Sequence, residues 1–190
     1  MLRNILLVPL VLIICLDAGA QKNDFGLTLG GYLAASNPLN IGAAWAIEAT
    51  YARRFLSLPV VSISGELPWA TSFQSSIPTF NGTTLARSYT SLFITPGLRL
   101  RLAPSFLVSP YVSAGLGYGR FNRQLLNGTT SPEGTFALDV AGGLDLKVLP
   151  FVSLRGELRD FNSSTFGFQS LISGGRQNNV FLTFGLGVRF

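Results

Sequence analysis

The chain has 190 residues, of which 47% are hydrophobic and only 12% charged, with 21 glycines, one cysteine and no histidine. Ordinary soluble domains carry roughly 25% charged residues, so this composition excludes a conventionally solvated globular surface. The net charge of +5 comes mostly from arginines standing singly inside alternating segments, which excludes the contiguous basic face that nucleic acid requires.

The first element is a leader. Arg3 precedes an apolar run over 5–16, and Ala18, Gly19 and Ala20 follow it as small residues. That order predicts a secretory signal peptide over 1–20, cut between Ala20 and Gln21. Cys15 does not make it a lipoprotein leader, because Ile14 stands where a small residue is needed. The mature chain, 21–190, then has no cysteine and no disulfide, and it is long enough for one domain.

Eight amphipathic strands are expected in that domain, because alternate side chains of a strand face opposite sides. The first, 25–33, sets Phe25, Leu27 and Leu29 against Thr28, Gly30 and Tyr32. The second, 43–53, sets Trp45, Ile47 and Tyr51 against Ala46, Glu48 and Thr50. The third, 60–69, opposes Val61, Ile63 and Leu67 to Ser62, Ser64 and Glu66. The fourth, 89–102, opposes Leu92, Ile94, Leu98 and Leu100 to Phe93, Thr95, Gly97, Arg99 and Arg101. The fifth, 108–121, has Val112, Leu116 and Tyr118 on one face and Tyr111, Ser113, Gly115 and Gly117 on the other. The sixth, 136–148, separates Leu138, Val140, Leu144 and Leu146 from Asp139, Ala141, Asp145 and Lys147. The seventh, 152–161, separates Val152, Leu154 and Leu158 from Ser153, Arg155, Glu157 and Arg159. In the last, Val180, Leu182, Phe184, Leu186, Val188 and Phe190 share a face opposite Phe181, Thr183, Gly185, Gly187 and Arg189. Each is close to the ~9–11 residues that a tilted strand needs to cross a bilayer.

Connectors at 53–59, 103–107 and 149–151 are short, whereas 70–88, 122–135 and 162–178 are long and polar. Only 36–41 is short where a long one is expected. Short periplasmic turns and longer outer loops are the pattern of bacterial barrels. Pro96 fits poorly inside the fourth strand, since a closed barrel has no edge to excuse its missing N–H; a bulge is expected there. A soluble barrel with the two faces exchanged would show the same alternation, but its surface of Gly, Ala, Ser and Thr would be poorly charged.

With its leader, eight amphipathic segments and terminal Phe190, the sequence resembles the small bacterial outer-membrane β-barrel proteins of the OmpA-membrane-domain and OmpX type. The resemblance implies an all-β, eight-stranded antiparallel transmembrane barrel over 21–190, exported to the outer membrane. Its partners would be outer-membrane lipid, the barrel assembly machinery and possible extracellular partners of the loops, with no nucleic acid. In such barrels the closing strand carries an assembly signal, here Phe184, Leu186, Val188 and Phe190. No domain is expected after Phe190.

On this assignment the lumen holds Glu48, Glu66, Asp139, Asp145 and Glu157 against Arg99, Arg101, Lys147, Arg155, Arg159 and Arg189. Buried charges must pair, so an internal salt-bridge network is expected. A hairpin symmetric about Pro150 sets Asp145 opposite Arg155. The network serves either as a plug or as the lining of a narrow path, and the slight cationic excess would suit anions. Related acyltransferases, lipid A deacylases and omptin-type proteases use a histidine, so none of their sites maps here, and no enzyme activity is expected. Gly115, Gly117 and Gly119 have strand periodicity with no following helix, which argues against a phosphate loop. Asn81-Gly82 and Asn127-Gly128 read as turn tips. No metal or other cofactor is expected. Two functions remain: a plugged scaffold that braces the membrane or displays its loops, and a narrow channel for small solutes.

Overall fold

A computed structural model describes residues 22–35, 44–74, 88–124, 130–164 and 176–190. The predicted leader, the 36–41 connector, both Asn-Gly tips and most of the 70–88 and 162–178 connectors lie outside these residues. Nine hydrogen-bonded segments make up the described chain: β1 (Asn23–Ala35), β2 (Ala44–Ser57), β3 (Val61–Gln74), β4 (Ser88–Ile94), β5 (Gly97–Leu102), β6 (Val108–Gln124), β7 (Thr130–Lys147), β8 (Val152–Ser164) and β9 (Arg176–Arg189). β4 and β5 both pair with β3 and with β6, so they are two halves of one stave. Each stave is antiparallel to the next, and β9 pairs with β1 from Asp24↔Arg189 to Ala35↔Asn178. The result is a closed eight-stranded antiparallel barrel.

The faces lie as a membrane requires. Leu27, Leu29, Trp45, Leu98, Val112, Leu144, Leu158, Phe184 and Leu186 point outward and are exposed, whereas Glu48, Arg99, Asp139, Arg155 and Arg159 are buried inside. The exchanged, soluble arrangement is thereby excluded. Lipid offers backbone groups no hydrogen bonds, so only a closed ladder satisfies them all. The ladder runs to the chain end: Asn23 N donates to Phe190 O at 2.9 Å, and Phe190 N to Asn23 O at 3.0 Å.

The structure corrects two expectations about the strands. Pro96 marks no bulge. Trp69↔Ile94 and Glu66↔Gly97 keep one register on the β3 side, as Ile94↔Tyr118 and Gly97↔Gly115 do on the β6 side. Pro96 still accepts from Leu116 N (3.1 Å), and Thr95 N reaches Pro68 O (3.5 Å). Pro68 lies opposite Thr95, so two missing donors fall on neighbouring staves at one level, and the strand is interrupted without changing its count. The register shift occurs instead between Arg54 and Leu56 of β2, next to a turn. The second correction concerns loop length. The 122–135 connector is mostly hairpin, paired up to Gln124↔Thr130, and β3, β8 and β9 likewise extend into their polar flanks. Side-chain polarity marks where lipid ends, but backbone pairing continues as long as a neighbouring strand is present.

Closure at the β1–β9 seam needs a residue without a side chain. A Cβ on Gly185 would lie 2.1 Å from Leu27 O and 2.6 Å from Thr28 Cα, both fixed backbone. Gly185→Val should therefore destabilise the barrel by at least the ~1–3 kcal/mol typical of overpacking. The check is the fraction of refolded protein that migrates as the compact, heat-modifiable form in electrophoresis; an unchanged fraction would contradict this account of the seam.

Candidate functional site in the barrel lumen

Inward positions from seven staves meet in two charge clusters. Toward the short-turn end, Asp24 and Asp145 face three arginines. Arg155 Nε donates to Asp145 Oδ1 and its Nη2 to Asp24 Oδ1, both at 2.8 Å. Arg101 Nη2 lies 2.8 Å from both carboxylates. Arg189 Nη2 donates to Asp145 Oδ2 at 3.1 Å. Asp145 and Arg155 are direct register partners across the β7–β8 hairpin.

Farther in, Arg159 is surrounded by four carboxylates. Its Nε donates to Glu157 Oε1 at 2.6 Å and lies 2.9 Å from Glu48 Oε1. Its two terminal nitrogens donate to Asp139 and Glu66. Arg99 links the clusters. Its Nε donates to Glu66 at 2.8 Å, and its other nitrogens lie 3.7 Å from Asp24 and 3.8 Å from Glu157. The Arg99 guanidinium also sits 4.3 Å from the centre of the Tyr111 ring, within cation–π range. The Tyr111 hydroxyl donates to Glu157.

Ten of the eleven charged residues expected in the lumen thus contact one another. Lys147 does not join them: it is half-exposed at the rim, with no ion pair among the described residues. Two participants escaped the sequence reading. Asp24 is buried at the centre of the outer cluster, yet it stands one residue before the expected start of the first strand; its even spacing from Thr28 was the available signal. Tyr111 was placed on the correct face without a role. Counting Asp24, six carboxylates oppose five arginines and Lys147, so the expected cationic excess is absent.

Beyond the charges, toward the long-loop end, lies a layer that the sequence reading did not foresee. Phe93 and Phe161 stack with centroids 4.5 Å apart and planes 9° from parallel. Phe121 and Phe181 meet Phe93 edge-on at 5.6 and 6.0 Å, and Tyr32 meets Phe181 at 5.2 Å. Edge-to-face and offset contacts at these separations are favourable. The Tyr32 hydroxyl donates to Asn179 Oδ1 at 2.7 Å, and Asn179 Nδ2 donates to Phe161 O at 2.8 Å. The five rings come from β1, β4, β6, β8 and β9. The lumen is therefore filled at successive levels by an ionic lattice and by aromatic rings.

A sequence model of the outer membrane protein beta-barrel domain matches residues 6–190. The chain belongs to this family. Like its relatives, this outer-membrane barrel is an integral protein of the bacterial outer membrane. Its fold is similar to that of Neisserial surface protein A, with a TM-score of 0.64 at 15% identity over 88% of this chain and 97% of that one. It is similar also to Ail, the attachment invasion locus protein of Yersinia pestis, with a TM-score of 0.55 at 12% identity over 89% and 99% of the two chains. The outer membrane enzyme PagL shares the fold too, at 0.51 and 10% identity over 88% and 99%. No curated protein sequence matches the chain.

Removing one partner from a buried ionic lattice leaves the rest uncompensated, at a cost of about 3–5 kcal/mol. Arg159→Met, which keeps the bulk but leaves four carboxylates without their shared cation, should lower the urea midpoint of the outer-membrane barrel by a corresponding amount. A midpoint equal to that of the wild type would show that the lattice does not hold the lumen together.

Proposed function

We propose that this protein is a closed-lumen scaffold of the outer membrane that acts through its long-loop end rather than through its interior. The observation carrying this reading is the double filling of the lumen, by paired charges at two levels and by five packed aromatic rings beyond them. A conducting path would have to displace both. Small eight-stranded barrels have interiors just wide enough for side chains to fill. The charge balance restored by Asp24 removes the feature that would favour an anion path. Two of the similar folds belong to a surface protein and to an attachment protein, which is compatible with a role at the cell surface. PagL shows that the same fold can host an enzyme. The absence of histidine from this sequence supports a barrel without catalysis of the kind that the related acyltransferases and proteases perform. Under this reading the lumen charges are structural, and Phe184, Leu186, Val188 and Phe190 form the outward edge presented to the assembly machinery.

Planar-bilayer recording of the refolded barrel tests the closed lumen. Wild type should be silent, while Phe93→Ala combined with Arg155→Ala and Glu157→Ala should open a measurable conductance. Steady openings of the wild type, with ion selectivity altered by Arg155→Ala alone, would replace the scaffold by a channel. The surface role is tested by trimming residues 75–87 and 165–175, which should leave the barrel folded but abolish its adhesion to host cells or matrix. For the closing strand, deletion of Phe190 should lower the amount of barrel inserted in cells, read by outer-membrane fractionation; undiminished insertion would remove the assembly role.

A further inference from the structure

The short-turn end of the barrel combines two properties that water-facing turns do not normally share. It is strongly apolar. Phe55, Val60 and Phe106 are each 65% exposed and Leu107 64%, and Leu58, Val148, Leu149 and Phe190 are exposed beside them. All three turns, around Pro59, Pro104 and Pro150, contribute. It also lacks exposed acidic side chains: among the described residues Asp24 and Asp145, the acids nearest this end, are buried and paired inside. Lys22 and Arg53 are exposed there.

The turns are laced to the barrel rather than hanging from it. Ala103 N donates to Val60 O at 2.7 Å, Lys147 N to Leu107 O at 2.8 Å, Arg189 N to Phe151 O at 2.8 Å and Arg54 N to Lys22 O at 2.7 Å. The ladder thus runs around the rim, and these backbone groups do not depend on water. The shift at Arg54/Leu56 lets the consecutive residues Phe55 and Leu56 both be exposed. The outward residues of the adjoining strand ends, Leu102, Val108, Leu146 and Val188, are apolar and exposed, so the patch is continuous with the lipid-facing belt.

We infer that this end lies within the inner leaflet of the outer membrane, its turn tips among the acyl chains near the headgroups and its cations on the phosphates of anionic phospholipid. Apolar side chains beside Lys and Arg fit that layer, since long cationic side chains reach a headgroup while their stems remain in the apolar zone. Anionic lipid attracts each such cation. A soluble periplasmic partner would account for an apolar patch, but not for its continuity with the lipid belt and the cationic side chains beside it.

The test uses the full chain in a Cys15→Ser background, refolded into vesicles of phosphatidylethanolamine and phosphatidylglycerol. Nitroxides on Leu58→Cys and Phe106→Cys should collide more with oxygen than with a water-soluble nickel chelate, as a nitroxide on Leu144→Cys in mid-belt does. The opposite ranking at 58 and 106 would place the turns in water, or under a soluble partner or second copy, and overturn the inference. Separately, Lys22→Gln with Arg53→Gln should lower the preference of the barrel for spin-labelled phosphatidylglycerol over phosphatidylcholine severalfold. The compact electrophoretic form should persist in this variant. Equal preference in wild type and variant would remove the headgroup contacts.

Discussion

Backbone hydrogen bonding without water is the constraint from which this molecule follows. A strand in hydrocarbon must find partners on both edges, so the sheet has to close, and the number of staves in the closed sheet sets the size of the lumen. Phe190 and Asn23 complete the ladder across the seam. Pro68 and Pro96, at neighbouring levels of adjacent staves, show how much irregularity the closed sheet accepts. Each withholds a donor, but the register on either side is unchanged, so the loss stays local.

Once the sheet is closed, every second side chain is committed to a narrow interior, and its chemistry must be resolved there. The barrel does so in layers. Arginine carries the ionic layers because its planar fork donates in several directions at once: Arg155 serves two aspartates and Arg159 four carboxylates. Tyr111 adds a ring face for Arg99 and a hydroxyl for Glu157. The aromatic layer beyond needs no partners except at its polar edge, where Asn179 receives the Tyr32 hydroxyl. Filling of this kind occupies the interior, and under the proposed function it leaves the two ends as the surfaces that act.

The alternation of faces was legible in the sequence because a membrane barrel leaves every strand with one lipid side. Leu27, Leu29, Val112, Leu144 and Phe184 show it with few exceptions, and neither the number of staves nor the inward charges depended on knowing the fold. The Asp145–Arg155 pairing was also within reach, since a tight turn at Pro150 sets that register locally. Strand ends were not legible, because pairing above the lipid is indifferent to hydropathy.

What the sequence by itself determined is therefore periodic and local: which side chains face lipid, which face inward, and which hairpin partners meet. Only the tertiary structure decided what lies at the same height within the lumen. Tyr32, Phe93, Phe121, Phe161 and Phe181 are scattered over five strands and become one layer through the stagger of a closed sheet. Asp24 and Arg101 lie far apart in sequence yet meet at 2.8 Å for the same reason. Height around a barrel depends on strand tilt and on the register of every intervening pair, a sum over the whole ring that no single segment records.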